Sequence, residues 1–164
     1  MDISHSHDFH ASPDDISALF ADESFARARS DASGAAHSDA IVDGTPATGF
    51  SVSIRQSVPA SSIPSEVRPF VGSELNVRFT EVWDPATAGA RTGTFAVEIV
   101  GTPGHASGSL RLDPHGDITQ FTVDGAVSVR VPLVGPMIEK AVATAVIKAL
   151  REELVTADEW LARR

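Results

Sequence analysis

Beyond Pro136 no proline or glycine interrupts the chain, and the roughly 28 residues that follow would span about 42 Å as one helix. Ile138, Val142, Val146, Leu150, Leu154 and Leu161 supply bulk on one side of it. Ala141, Ala145 and Ala149 form an i, i+4 ladder of small residues, so the helix can lie close to what it covers. Glu139, Lys140, Lys148, Arg151, Glu152 and Glu153 are assigned to the solvent side, and Arg163 and Arg164 close the helix with the charge its C-terminus favours. A long helix with one apolar stripe needs a partner surface. The question is what the preceding residues offer it.

They offer strands. Alternation with period two predicts strands near 37–43, 49–58, 74–83, 92–101, 105–113 and 117–131. Thr102-Pro103-Gly104-His105 has the order of a type II turn, and Asp113-Pro114-His115-Gly116 reads as a tight hairpin connection. Asp84-Pro85 opens a longer loop to Arg91, and residues 62–70 break the alternation as a short helical turn. At the other end of the chain Ile3, His5, His7 and Phe9 alternate with Asp2, Ser4, Ser6 and Asp8, which gives a further strand. Ser12-Pro13-Asp14-Asp15 then combines an N-cap serine, a proline at the first helical position and first-turn acids. Two short helices are expected near 13–21 and 23–31, burying Leu19, Phe20 and Phe25, with Gly34 as a stop. The order is α+β: a twisted antiparallel sheet of seven strands burying one face against the terminal helix.

Composition limits what such a domain does. The 164 residues suit one domain, taken as 1–164, and 42% apolar with 21% charged residues is ordinary for a folded chain. Cysteine is absent, which removes disulfides, thiolate catalysis and thiolate metal sites. A formal charge of −9 argues against a nucleic-acid partner. The acids concentrate before residue 49, where Arg27 and Arg29 are the only bases, and we read that stretch as solvated surface. The start has neither a basic nor an apolar leader region and no run is long enough to span a membrane, so a cytoplasmic protein is expected.

Alternation also says which side chains face the helix. Phe50, Val52, Ile54 and Val58 would do so from one strand, Leu75, Val77, Phe79 and Trp83 from the next. Phe95, Val97 and Ile99 follow, then Leu110 and Leu112, then Phe121, Val123, Val127, Val129 and Val131. The polar exceptions are His5, His7, Gln56 and Glu81. A buried polar group without a partner costs several kcal/mol by order of magnitude, so these four pair, meet a cavity or reach solvent at a strand end. A mostly apolar pocket with a few orienting polar groups is the usual makeup of a small-molecule site. The candidate ligand-binding residues are therefore His5, His7, Gln56, Phe79, Glu81, Trp83, Phe95, Val97 and Phe121. His5 and His7 with Glu81 match a two-histidine, one-carboxylate set in composition, but no second ligand motif supports it and no metal is expected. Gly104-His105-Ala106-Ser107-Gly108 is not a nucleophile elbow, and neither a phosphate loop nor a dinucleotide fingerprint occurs, so no cofactor is expected.

The element order resembles the helix-grip fold of the START-like superfamily, and the chain is identified more narrowly with its actinobacterial domain-of-unknown-function family 2505. The resemblance spans about residues 2–155 and is carried by His5-Ser6-His7-Asp8-Phe9-His10-Ala11-Ser12-Pro13, Ile63-Pro64-Ser65-Glu66-Val67, Glu81-Val82-Trp83 and Val131-Pro132-Leu133-Val134-Gly135-Pro136-Met137-Ile138-Glu139. These segments are junctions and element ends, not catalytic signatures. The resemblance implies a curved sheet gripping the long helix, with a cavity between them for an apolar small molecule or lipid. Two alternatives stand beside ligand binding: a cyclase- or hydrolase-like enzyme using Glu81 and a cavity histidine, and a structural or partner-binding module with a filled core. Cavity volume separates them, a space under about 300 Å³ favouring the filled core.

Overall fold

The computed structural model describes residues 1–164. Strand β1 (Asp2–Phe9) leads into helices α1 (Pro13–Phe20) and α2 (Glu23–Ala32). Strands β2 (His37–Thr45) and β3 (Gly49–Pro59) form a hairpin, followed by a 3-10 turn (Ala60–Ser62) and the short helix α3 (Arg68–Val71). Strands β4 (Glu74–Trp83), β5 (Arg91–Ile99), β6 (Gly104–His115) and β7 (Ile118–Val129) complete the sheet, and α4 (Gly135–Ala162) ends the chain. All seven strands are antiparallel in the order β1-β7-β6-β5-β4-β3-β2, so β1 closes onto the last strand and the sheet curls around α4. This is the helix-grip arrangement.

Local chemistry accounts for the boundaries. Ser12 Oγ accepts from the Asp15 amide at 3.1 Å ahead of Pro13, and Asp22 Oδ1 accepts from the Ser24 amide at 2.8 Å to start α2. The two proline-containing turns sit elsewhere than expected. β5 ends at Ile99 and the chain reverses through Gly101, while β6 runs on through Pro114 to His115 and reverses through Gly116. Both glycines hold a positive φ, 80° and 65°, so the turn forms where that backbone costs least and not at the neighbouring proline.

The core has a large and a small part. Phe9, Phe20, Phe25, Phe50, Trp83 and Phe121 form a contiguous aromatic cluster beneath α1 and α2, joined by Trp160 from the end of α4. At the opposite end Ile63, Val67 and Ile138 pack together with Val58, Leu75 and Val134. Glu139, expected in solvent, accepts the Val129 amide at 3.0 Å and so ties the first turn of α4 to the end of β7. α4 packs most closely against α2, β7, β1 and α1, and across its middle turns a space separates it from the inner face of the sheet. A space is left between the two cores.

Candidate functional site

Where α4 stands clear of the sheet, a cavity of about 230 Å³ opens. Of the 26 residues around it, 19 are hydrophobic. Its floor is the inner face of β3 to β7, its roof is Val142, Ala145, Val146, Ala149 and Leu150 of α4, and one end is closed by Ile63, Pro64 and Val67. Two of the three alanines of the ladder thus face open space: a side chain of one carbon at those positions leaves room that leucine would fill.

Among the residues expected from sequence, Gln56, Phe79, Glu81, Phe95, Val97 and Phe121 line the cavity. Trp83 is buried beside it in the aromatic core, where its Nε1 donates to Glu81 Oε2 at 3.3 Å. His5 and His7 are not in the lining. His7 Nε2 lies 2.9 Å from Asp158 Oδ2 on α4, and its ring meets that of Phe9 edge-on. Partial burial, then the charges of Arg151 and His7, hold His5 below the ordinary imidazole range. Neither histidine approaches Glu81 to form an acid–base set, and no three metal-ligating side chains converge anywhere in the structure.

Glu81 has a partner that sequence reading missed. Arg29 Nη1 and Nη2 donate to its two oxygens at 3.0 and 3.2 Å, a bidentate pair in which both residues are buried. The guanidinium also lies over the Phe79 and Phe25 rings, 5.2 and 5.9 Å from their centroids. Burial works against the Arg29 charge, yet Glu81 and Glu153 outweigh it and hold the group above its ordinary value. Its Nε is buried without a partner. The signal was present in the sequence: Phe25, Ala26, Arg29 and Ser30 form one stripe on a helix, and a buried carboxylate needs a cation. Beside the pair, Ser30 Oγ donates to Gln56 Oε1 at 2.6 Å.

The second correction concerns Glu153. Assigned to solvent with its neighbour Glu152, it instead lines the cavity beside Arg29 and Glu81. Its spacing explains this, for Leu150, Glu153, Leu154 and Ala157 share one helical face. Desolvation is the main cause that pushes its carboxyl up to about 7; Arg29 opposes the shift and the charges of Glu81 and Glu152 add to it. The polar residues of the lining are Ser30, Ser33, Gln56, Ser62, Glu81 and Glu153, with Ser30 and Ser33 at the C-terminal end of α2. The rest of the lining is almost wholly apolar. Such a space holds an apolar body and meets its polar end at one place.

Known proteins agree with the architecture. A protein of Thermus thermophilus, TTHA0849, superposes with a TM-score of 0.67 at 13% identity, covering 99% of this chain and 98% of that one. Ara h 8.0201 gives a TM-score of 0.60 at 8% identity, with 100% and 99% covered. The STAR-related lipid transfer protein of Xanthomonas axonopodis gives 0.54 at 19% identity, with 92% and 84% covered. At these identities the likeness is one of fold, the helix-grip fold. In sequence, uncharacterized proteins of Mycobacterium tuberculosis and Mycobacterium bovis are 29% identical over 91 residues, 54% of this chain and 52% of theirs. The chain therefore spans about half the length of the curated relatives it matches. A family described as "Protein of unknown function (DUF2505)" matches residues 4–161, and since that is nearly the whole chain, the protein belongs to it.

Proposed function

We propose that the protein binds a compact apolar small molecule in the cavity between its sheet and α4. The observation that carries this reading is an apolar-walled space of about 230 Å³ between α4 and the inner face of the sheet. Its size bounds the ligand. A dry cavity of about 150 Å³ accepts a benzene ring, whereas pockets for drug-sized molecules start near 300 Å³. The enclosed part then suits one ring with a short chain, or a group of comparable bulk. A volume below 300 Å³ meets the sequence-based criterion for a filled core, but it exceeds what benzene needs, so we retain the binding reading for small ligands.

The name of the structurally similar lipid transfer protein supports an apolar ligand, and the shared fold is the extent of that support. The enzyme alternative has less behind it, because Glu81 is engaged with Arg29 and Trp83 and His7 with Asp158. A cytoplasmic setting fits the absence of cysteine. No helix is long and apolar enough to cross a membrane. Mass spectrometry of protein purified gently from its own host tests the proposal. A co-purifying apolar compound of the stated size is expected. Empty protein that also fails to take up small hydrocarbons added in excess would overturn it.

A further inference from the structure

Of the two carboxyls on the cavity wall, one has partners and the other has none. Glu81 is held by Arg29 and Trp83, and Gln56 by Ser30. Glu153 lines the same cavity, is half-buried there, and takes part in no ion pair or hydrogen bond within the protein. An unpartnered carboxyl in such a place is costly when charged and serviceable when neutral, because the protonated form donates one hydrogen bond into the space.

Resting on the binding reading above, we propose that the ligand carries a single neutral hydrogen-bond acceptor, such as a ketone, aldehyde or ester carbonyl, which the protonated Glu153 carboxyl receives. Ionisation of Glu153 then weakens the complex. The charges facing this group leave little room for other headgroups. Arg29 on α2 faces it with its charge already matched by Glu81, so a ligand carboxylate would meet two carboxyls against one cation. An ammonium group would face Arg29 while Glu153 is neutral. Glu152, on the same helix as Glu153, adds only negative charge, and the β1 histidines lie against Arg151 and Asp158 outside the cavity lining. Desolvation holds the Glu153 carboxyl at about 7, so the donor is present in the lower part of the physiological range and lost in the upper part. The carbonyl ligand should lose about tenfold in affinity per pH unit well above that value.

Four probes of similar bulk decide it: butylbenzene, benzylacetone, hydrocinnamate and phenylpropylamine, titrated calorimetrically between about pH 6 and pH 8.5, the window set by the carboxyl. Benzylacetone should bind more tightly than butylbenzene at the acid end, and that advantage should vanish at the alkaline end. In Glu153→Gln the amide keeps a donor, so the advantage should persist at every pH; in Glu153→Leu it should be absent throughout. Titrations near neutrality in buffers of different ionisation enthalpy should show proton uptake by the wild type on binding benzylacetone, a readout that needs no variant. Equal binding of benzylacetone and butylbenzene at the acid end, or tighter binding of either charged probe, would overturn the role of Glu153 and leave the apolar cavity standing. A pH slope that survives in Glu153→Gln would overturn it too. Failure of all four probes, butylbenzene included, would overturn the binding reading itself.

Discussion

Single side chains decide how this cavity behaves, and Glu153 and Glu81 make opposite contributions. Glu153 has its folded value raised to about 7 from an ordinary 4.5 by desolvation. The folded state therefore binds a proton that the unfolded chain has released. The sign follows: stability linked to this group is complete below about pH 4.5 and is lost as pH rises through about 7. We expect Glu153→Gln to remove that loss, making the variant more stable than wild type at pH 8 by on the order of 1–3 kcal/mol while leaving pH 4 little changed. Urea midpoints across that range measure it. Glu81 behaves otherwise, because its charge is matched. Removing it leaves Arg29 buried and uncompensated, so Glu81→Gln should cost about 3–5 kcal/mol. Replacing both partners by apolar residues, as in Arg29→Met with Glu81→Leu, should cost less than the single change, and a double-mutant unfolding cycle reads the difference.

At the scale of elements, α4 and the β6–β7 hairpin shape the open space. Ala145 faces the cavity and Ala143 is buried where the helix packs closely. Ala145→Leu should fill the cavity with little loss of stability, whereas Ala143→Leu should overpack the core at about 1–3 kcal/mol. Melting both variants beside wild type separates the two faces. Gly108 and Gly125 are paired across β6 and β7 beneath the Phe95 ring. A Cβ on Gly125 would lie 2.4 Å from the Ser107 carbonyl oxygen and 2.9 Å from Phe95. The bare backbone lets Phe95 lie against the strands as part of the cavity floor, so Gly125→Val should destabilise the fold and displace that ring. Near-ultraviolet circular dichroism and unfolding report both effects.

For the molecule as a whole, period-two alternation and one uninterrupted terminal helix were enough to read seven strands and a sheet covered on one face by that helix, because burial on one face writes itself into the sequence as period. Positions whose burial depends on a distant partner were not legible in that way. Arg29 and Glu153 belong to short or strongly charged helical stretches, and what draws them inward is the cavity and the Glu81 carboxylate of another strand. His5 and His7 follow the alternation faithfully, yet β1 pairs at the edge with β7 and its inner face meets α4, so they reach Arg151 and Asp158 instead of the cavity. The turns illustrate the same limit, as glycine and proline stand side by side and only the register shows which one reverses the chain. We propose the space between sheet and helix as a binding site. Thermal unfolding with butylbenzene, in wild type and in Val97→Trp, tests it most directly. At 100 times its dissociation constant a ligand adds about 2.7 kcal/mol, or roughly 5–10 °C in Tm for a domain of this size. Such a shift in the wild type, absent when the Val97→Trp indole occupies the space, is the predicted result; no shift in either protein, with the tryptophan variant merely destabilised, would contradict it.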